Sequence, residues 1–444
     1  MVKKKIAATT FGCKVNQYET SCILDDFIGA GFDVVDFNEP AEIYIINTCT
    51  VTNRTDYKSR NAIRKALREK GKNPDVKVIV TGCYSQRNVE EVRKLGDVDL
   101  IVGNDQKGKV LEFITDWERF NRVEAYPIND VLKSVEFEEI STNSMIDRTR
   151  AFIKIQDGCD YYCSFCAVPF ARGHSRSRKK ENVLDQIEKL VKNGFKEFVL
   201  GGINLGLYGR EKEEKYFLSD LLFNIENIEG VELIRLSSIE PQLFTDDLIK
   251  FLKNSKKICP HLHIPLQAGC DELLKTMKRN YSTTEFVEVI QILHRTIPNL
   301  AIGIDVITGF PGETNELFNN TEKFLSELDF TYLHVFSYSR RPGTKAAEMK
   351  NQVNGRKINY RSNRLIDLSK NKTEKYLEKI LKNKIVLSGI VENQIDGYWT
   401  ALSDHYLRIY LKNNDNLLGK YLKFEPKEKK FNGVEVTMCK LRNS

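Results

Sequence analysis

The chain has 444 residues, of which 41% are hydrophobic and 29% are charged, and its formal net charge is +7. This composition is ordinary for a globular protein and excludes a wholly disordered or collagen-like chain. No apolar run reaches the roughly 18 residues that a membrane span requires. The start, MVKKKIAATTFGCK, predicts a first strand rather than a signal peptide. We therefore expect about three domains and a cytoplasmic protein without membrane contact.

Residues 1–125 alternate between apolar runs and helical patterns. Five runs indicate strands, namely KIAATTFG, FDVVDF, EIYIINTC, VKVIVTGC and DVDLIVG. Helical patterns lie at NQYETSCILDDFIGAG and near residues 53–70, 88–95 and 106–121. Strands that alternate with helices predict a mostly parallel sheet with helices on its faces. Residues 126–150 lose the pattern, which indicates a linker.

A second alternation occupies residues 151–350. Its six strand candidates are AFIKIQ, EFVLGG, VELIRLSS, HLHIPLQ, LAIGIDVITG and TYLHVFSY. Helical segments lie near 180–193, 218–228, 244–254, 282–296 and 314–328. Six βα units predict an α/β partial (β/α)6 barrel with its active site at the carboxyl ends of the strands. A doubly wound sheet has the same periodicity and is not distinguished by it.

The last part of the chain combines a basic helix with short strands. Residues 351–384 contain ten Lys or Arg and three acidic residues, and predict a helical connector. Residues 385–444 contain short strand-like runs separated by turns, which predicts a small antiparallel β-barrel. The connector and a second basic run at 54–72 suit a polyanion. They also suit solvated, salt-bridged helix faces.

The ten cysteines call for an explanation other than disulfides. In a reducing compartment, spaced cysteines indicate metal binding or catalysis. Cys159, Cys163 and Cys166 lie in DGCDYYCSFCAVPF, directly after the first strand of the second alternation. Three thiolates suit a [4Fe–4S] cluster with one iron open to another ligand. The alternative is a zinc site that His174 completes.

Three further cysteines, Cys13, Cys49 and Cys83, each end an apolar strand run. Because the carboxyl ends of parallel strands share one edge of a sheet, these thiols can converge on a second three-thiolate cluster. The alternative is three buried structural cysteines. We assign a structural role to the remaining four, Cys22, Cys259, Cys270 and Cys439.

Taken together, the motifs resemble the radical S-adenosylmethionine (SAM) methylthiotransferase family. The resemblance rests on FGCKVNQYE, INTCTVTN, TGCYSQ, QDGCDYYCSFCAVPFARGHSRSR, GGINLG, LQAGCDELLKTMKRNY, DVITGFPGET and FSYSRRPGTKAA. It implies a methylthiotransferase α/β domain at 1–125, a radical SAM barrel at 151–350 and a TRAM-like, RNA-binding barrel at 385–444. It also implies two [4Fe–4S] clusters: an auxiliary one on Cys13, Cys49 and Cys83, and a radical SAM one on Cys159, Cys163 and Cys166.

The resemblance further implies SAM as methyl donor and radical source. Candidate SAM-binding residues lie at strand ends, namely Gly201, Gly202, Asn204, Ser238, Glu240 and Gln267. The two glycines also fit an ordinary βα turn. Asn16 and Asn47 lie beside the auxiliary cysteines, where they either support the cluster by hydrogen bonds or cap turns. The doublet His261 and His263 has no acidic or cysteine partner in its strand and is interpreted as packing.

The resemblance also implies the substrate, because the enzymes of this kind that it points to are transferases acting on tRNA. Gly12–Glu19 resembles the enzymes that methylthiolate C2 of N6-threonylcarbamoyladenosine (t6A) at position 37, next to the anticodon. Related enzymes act on isopentenyladenosine in tRNA or on a ribosomal protein. A zinc-stabilised RNA-binding protein without activity is the alternative from another class. The expected partners are the tRNA anticodon stem–loop, an external electron donor and a sulfur source, and a monomer is expected.

We expect the connector and the C-terminal barrel to hold the RNA, because the target base must be unstacked and brought to a buried radical centre. The candidate contacts are Arg361, Arg364, Arg408 and Lys412. Tyr398, Trp399 and Tyr406 offer stacking surfaces, although Trp399 is better explained as core of the small barrel.

Overall fold

The computed structural model of the chain describes residues 3–117, 128–142, 148–212 and 217–439. Parts of the predicted helix at 106–121, of the linker at 126–150 and of the last predicted strand lie outside these ranges. Within them, no helix combines the length and the apolar character that crossing a membrane demands. The chain forms an N-terminal sheet, a central partial barrel and a C-terminal closed barrel.

The N-terminal sheet has five strands in the order β2-β1-β3-β4-β5, and every neighbouring pair is parallel. The strands are β1 (Lys5–Thr10), β2 (Asp33–Val35), β3 (Ile43–Thr48), β4 (Lys77–Gly82) and β5 (Leu100–Val102). The helices are α1 (Lys14–Gly29), α2 (Asn53–Lys72), α3 (Cys83–Arg87), α4 (Val89–Arg93) and α5 (Val110–Thr115). The predicted parallel α/β sheet is confirmed.

Helices cover both faces of this sheet. Ile63 of α2 and Ile23 of α1 belong to separate apolar clusters on opposite faces. Strand β3 is therefore buried at every position, which explains why its first four residues are all apolar rather than alternating with polar ones.

The central barrel contains six parallel strands in two sheets, ordered β6-β9-β10 and β11-β12-β13 and joined by a bridge between Ile234 and Ile258. These strands are β6 (Ala151–Lys154), β9 (Glu197–Gly201), β10 (Leu233–Leu236), β11 (His261–Gln267), β12 (Ala301–Thr308) and β13 (Tyr332–Ser337). The helices around them are α6 (Val168–Arg172), α7 (Lys180–Lys192), α8 (Leu218–Glu226), α9 (Asp246–Asn254), α10 (Asp271–Thr276), α11 (Thr283–Thr296), α12 (Asn315–Glu327) and α13 (Lys345–Glu348). The predicted partial barrel is confirmed, and we call the space enclosed by its strands the lumen.

One element of the central barrel had no sequence signal. The strands β7 (Gln156–Asp157) and β8 (Arg176–Ser177) pair antiparallel, and each is too short for a periodic pattern. They join the two ends of the loop that carries Cys159, Cys163 and Cys166.

A long helix, α14 (Gly355–Lys382), packs along β13 and leads to the C-terminal barrel. That barrel closes in the order β14-β15-β16-β18-β17. Its strands are β14 (Leu387–Ile395), β15 (Tyr398–Leu402), β16 (Arg408–Leu411), β17 (Tyr421–Lys430) and β18 (Gly433–Met438). The barrel was predicted to be antiparallel, but β16 and β18 pair parallel. A closed ring with an odd number of strands cannot alternate in direction throughout.

The C-terminal barrel covers the end of the lumen at which the central strands begin. The ring of Tyr406 stacks on His261, with centroids 4.2 Å apart, and lies 5.4 Å from the ring of Tyr332. Arg235 donates to the carbonyl of Ser403 at 3.0 Å. The lumen is therefore closed at this end and faces the N-terminal sheet at the other.

Candidate functional site

The first cysteine set, which we call the auxiliary triad, consists of Cys13, Cys49 and Cys83. The three residues follow the carboxyl ends of the adjacent strands β1, β3 and β4. This is the edge at which ligands bind in parallel sheets. Burial, together with the neighbouring Cys83 and Cys13, raises the pKa of the Cys49 thiol to about 12. The three sulfur atoms therefore share one electrostatic environment.

Glycines set the backbone in front of the cysteines. Gly12 and Gly82 have φ values of +93° and +101°, a region that other residues rarely adopt. A Cβ on Gly12 would lie 2.4 Å from the sulfur of Cys49, and one on Gly82 would lie 2.2 Å from the carbonyl oxygen of Thr48. The Gly-Cys pairs thus bring the strand ends closer together than any side chain would permit.

The second set, the loop triad, consists of Cys159, Cys163 and Cys166 in the loop between β7 and β8. Gly158 precedes it with φ +71°, and a Cβ there would lie 1.8 Å from the carbonyl oxygen of His174. Burial, together with the neighbouring Cys163, raises the pKa of Cys166 to about 12. The loop triad repeats the Gly-Cys construction of the auxiliary triad.

The spacing of the sulfur atoms disagrees with the zinc alternative. Zn–S bonds of about 2.3 Å in a tetrahedron place sulfur atoms roughly 3.8 Å apart. Over the described ranges, neither cysteine triad has all its ligand atoms within 4.8 Å of one another. His174 pairs with Asp160 at 2.9 Å, and its side chain is 51% exposed. A [4Fe–4S] cluster takes three thiolates and needs no histidine, so the donor set of each triad suits such a cluster.

Both triads contribute to the wall of one cavity of about 240 Å³. Cys83 and Cys166 line it together with Gln267 of β11, Asp305 of β12 and Phe165 of the cysteine loop. Chemistry at the two cysteine sets can therefore act on one molecule bound between the N-terminal sheet and the central barrel.

Arg279 contacts the loop triad directly, and the sequence interpretation missed it. It donates to the sulfur of Cys163 at 3.2 Å and forms an ion pair with Glu240. Burial raises the pKa of Glu240, whereas Arg279 lowers it. Only the basic pair within LLKTMKRNY hinted at Arg279, and its contact with Cys163 spans 116 positions of the chain.

The predicted SAM-binding residues line the carboxyl end of the lumen. A Cβ on Gly201 would lie 2.1 Å from the ring of Phe152, so this glycine serves packing as well as approach. Both polar side-chain atoms of the buried Asn204 lack a partner among the described residues, which leaves them available to a ligand. Glu240 is held by Arg279 as above, and Gln267 lines the cavity with φ +75°.

The remaining predicted SAM residue, Ser238, corrects the interpretation of the His261 and His263 doublet. The Oγ of Ser238 lies 2.6 Å from Nδ1 of His263. His263 has the acidic partner that its strand lacks, because Nε2 lies 2.9 Å from Oδ1 of Asp305 on the next strand. His334 on β13 places Nδ1 3.3 Å from the same oxygen. His261 instead packs against Tyr406 as predicted.

Asn16 and Asn47 position the strand ends that carry the auxiliary triad. Asn16 Nδ2 donates to the carbonyls of Phe11 and Thr48 at 2.8 and 3.0 Å, and Asn47 Nδ2 donates to the carbonyl of Asn16 at 2.9 Å. Both side chains are fully buried. These contacts hold the backbone beside the cysteines, and Asn16 Oδ1 also accepts from Arg172 at 2.6 Å.

A buried ion network joins the N-terminal sheet to the central barrel. Glu19 of α1 is in contact with Lys107, and it accepts from Lys154 at 2.9 Å and from Arg172 at 2.8 Å. Asp157 accepts from the same Lys154 and Arg172 at 2.9 and 3.0 Å. Although burial opposes ionisation, these cations hold the pKa of Glu19 well below its usual range. The network fixes the auxiliary triad relative to the barrel.

The structure removes Arg361 from the predicted RNA contacts. This side chain is 2% exposed and donates to Glu313 at 2.6 Å, so it is not available to a nucleic acid. Arg364 forms an ion pair with Glu322 but keeps 36% of its side chain exposed. Tyr406 stacks at the closed end of the lumen and is half-buried. Trp399 is 9% exposed in the core of the C-terminal barrel, as expected.

Arg408 and the exposed Lys412 remain, and Arg408 lines a larger cleft of about 670 Å³. We call it the basic cleft, because its wall also contains Lys14, Arg148 and Arg150. Glu392 is its acidic lining residue and pairs with both Arg150 and Arg408, at 2.6 and 2.5 Å. The cleft thus carries an excess of positive charge where all three parts of the chain meet.

Two protein-family models match the chain. The model described as uncharacterized protein family UPF0004 matches residues 5–103, which contain the auxiliary triad. The model of the radical SAM superfamily matches residues 153–325, which contain the loop triad.

Among curated proteins, the chain is similar to threonylcarbamoyladenosine tRNA methylthiotransferase MtaB of Bacillus subtilis (strain 168). The two are 41% identical over 425 residues, covering 94% of this chain and 92% of that protein. The chain is 31% identical over 445 residues to tRNA-2-methylthio-N(6)-dimethylallyladenosine synthase of Clostridioides difficile (strain 630), covering 98% of this chain and 92% of that protein.

Among solved structures, the chain is similar in fold to the radical S-adenosylmethionine methyltransferase TsrM from Kitasatospora setae, determined with cobalamin and a [4Fe-4S] cluster. The TM-score is 0.60 at 15% identity, and the match covers 78% of this chain and 77% of that chain. At this identity the likeness supports the fold.

Proposed function

Because the chain belongs to the radical SAM methylthiotransferase family, we propose that it transfers a methylthio group to C2 of t6A at position 37 of tRNA. The observation that carries this proposal is the single cavity shared by the two cysteine triads. The C2–H bond of adenine is inert to side-chain acids and bases, so its replacement requires chemistry that only cofactors supply.

The enzyme uses [4Fe–4S] clusters and SAM, which supply methyl transfer and radical chemistry when bound. We propose that the auxiliary triad holds one cluster and that the loop triad holds the other. Arg279 orients Cys163 and Glu240, while Asn204 offers free polar atoms at the SAM end of the lumen. The protein's own contribution is to place these groups around a buried cavity and to exclude water from it.

The t6A substrate is favoured over isopentenyladenosine by the higher identity to the threonylcarbamoyladenosine enzyme, 41% against 31%. The Gly12–Glu19 motif agrees with that choice. We propose that the domain boundaries of the chain lie at residues 125, 150, 350 and 384. We also propose that the RNA backbone lies in the basic cleft and against Lys412. We also propose that the enzyme requires an external electron donor and a sulfur source as partners.

The direct test is to incubate the reconstituted enzyme with SAM, a reductant and anticodon stem–loop RNA that carries t6A. Mass spectrometry of the nucleosides should show 2-methylthio-N6-threonylcarbamoyladenosine. If the enzyme converts an isopentenyladenosine RNA and not the t6A RNA, it belongs with the related enzymes that act on isopentenyladenosine in tRNA. A colourless, zinc-containing protein that converts neither RNA would support the non-enzymatic alternative.

A further inference from the structure

The centre of the lumen contains a group of polar side chains that the two cysteine triads do not use. His263, Asp305 and His334 project into it from three neighbouring strands, and we call them the lumen trio. Asp305 has a direct place in the shared cavity, because it lines the wall that also contains Cys83 and Cys166. A molecule bound in that cavity therefore meets Asp305, which contacts both histidines, as well as the sulfur atoms.

Hydrogen bonding within the lumen trio is incomplete, although its polar atoms lie close together. His263 Nε2 and Asp305 Oδ1 are buried and 2.9 Å apart. Neither has a hydrogen bond of acceptable geometry within the described part of the chain. Buried polar atoms of this kind destabilise a protein unless a partner satisfies them. The lumen is closed below by Tyr406, so the partner has to arrive from the cavity side.

We infer that the lumen trio binds the polar N6 substituent of the modified adenosine and thereby selects t6A. This inference rests on the proposed function. In adenine, C2 and N6 lie at different positions of the six-membered ring, so a base that presents C2 to the cysteine side directs its N6 substituent elsewhere in the cavity. Asp305 is the charged side chain of the cavity wall on the lumen side.

The chemistry of the two sides is complementary. A threonylcarbamoyl group offers N–H and O–H donors, which Asp305 accepts, and a carboxylate. His334 is the more exposed imidazole, with 45% of its side chain accessible against 12% for His263, and can donate to that carboxylate away from Asp305. An isopentenyl group offers neither donors nor acceptors and would leave Asp305 with the two histidines as its only polar neighbours in the lumen trio. Sites built to hydrogen-bond a substrate group reject analogues without it far more strongly than apolar pockets reject extra groups.

The test measures RNA binding by the cluster-loaded enzyme, apart from turnover. Three anticodon stem–loop RNAs differ only at position 37, which is adenosine, t6A or isopentenyladenosine. The wild type should bind the t6A RNA at least about 10-fold more tightly than either of the others. In Asp305→Asn and in His334→Gln the ratio of the Kd for the adenosine RNA to the Kd for the t6A RNA should fall below about threefold. Iron content and circular dichroism check that both variants are folded and loaded.

A matched control is Asp329→Asn, which removes the acid of the His294–Asp329 pair outside the lumen, where Asp329 is 83% exposed. It should retain the full t6A preference. Equal binding of all three RNAs by the wild type, or an undiminished preference in both trio variants, would overturn the inference. A stoichiometric divalent metal that is bound by the wild type and lost in Asp305→Asn would assign the lumen trio to a cation and would also overturn it. Failure of the proposed function is read separately, as absence of methylthiolated product from wild type.

Discussion

Replacing Glu19 with glutamine should strongly destabilise the protein and loosen the contact between the N-terminal sheet and the central barrel. The carboxylate is fully buried and contacts three cations, Lys107, Lys154 and Arg172. Glutamine keeps the shape and removes the charge, so Lys154 and Arg172 keep Asp157 as their acid, whereas Lys107 loses the carboxylate that it contacts. Removing one partner from a buried ion pair costs about 3–5 kcal/mol, a large part of the roughly 5–15 kcal/mol of a typical domain.

The assay is urea unfolding of the cluster-free protein, followed by the fluorescence of its two tryptophans. Trp117 reports on the N-terminal region, where Lys77 lies 4.6 Å from its ring, and Trp399 reports on the C-terminal barrel. Glu19→Gln should lower the urea concentration at the midpoint of the Trp117 transition more than it lowers that of the Trp399 transition. Adding Lys107→Met removes one of the uncompensated cations and should restore part of the loss.

The matched control is Asp185→Asn in α7. Its partner Lys189 lies 2.7 Å away, and the two side chains are 61% and 54% exposed. Surface pairs of this kind contribute at most about 1 kcal/mol. If Glu19→Gln changes the free energy of unfolding no more than Asp185→Asn does, the network does not hold the sheet and barrel together, and the reasoning is refuted.

Three further changes test other parts of the structure. Gly12→Ala places a methyl group against the sulfur of Cys49 in a strained backbone, so iron content should fall from about eight to about four per chain; an unchanged content would contradict the close approach. Burial raises the pKa of Glu138 to about 7, so in the folded protein this carboxyl keeps its proton at pH values at which the unfolded chain has lost it. The free energy of unfolding therefore falls as the pH rises from about 4.5 to 7. Glu138→Gln should therefore be more stable than wild type at pH 8, by about 1–3 kcal/mol, and equal to it below pH 4, as thermal melts at both pH values would show. Arg148 lines the basic cleft, where it donates to Gln17 at 3.3 Å. Because its charge can contact an RNA phosphate there, Arg148→Gln should weaken tRNA binding and reduce the slope of log Kd against log salt by about 1. Lys189→Gln should leave the slope unchanged.

Deleting residues 385–444 is a poor test of RNA binding, although the sequence suggests it. Tyr406 and the carbonyl of Ser403 close the lumen through His261 and Arg235. Truncation would open the active-site barrel from below as well as remove basic charge, and its effect on tRNA binding would have two causes.

The sequence was sufficient for the fold and for the positions of the cysteines, because both depend on local patterns. Apolar runs of strand length alternate with amphipathic helices, and each cysteine of the two triads ends such a run or lies in one short loop. Parallel strands then bring the runs to one edge by geometry alone. The parallel strand pair of the closed C-terminal barrel could also have been predicted, because a closed ring with an odd number of strands cannot be antiparallel throughout.

The contacts that depend on distant parts of the chain could not be predicted in this way. Glu19 meets Arg172 across 153 positions and Lys154 across 135, and Arg279 meets Cys163 across 116. The acidic partner of His263 lies on the next strand and has no signal near the histidine itself. Arg361 illustrates the opposite error, since a basic run on a helix does not show which of its side chains turn inward.

The central claim, two iron–sulfur clusters facing one cavity, is tested most directly by counting iron. After anaerobic reconstitution, the wild type should contain about eight irons per chain. The Cys13→Ala/Cys49→Ala/Cys83→Ala variant should contain about four and still cleave SAM without forming methylthiolated RNA. A wild-type protein with about four irons, or a triple variant that still methylthiolates t6A RNA, would contradict the account.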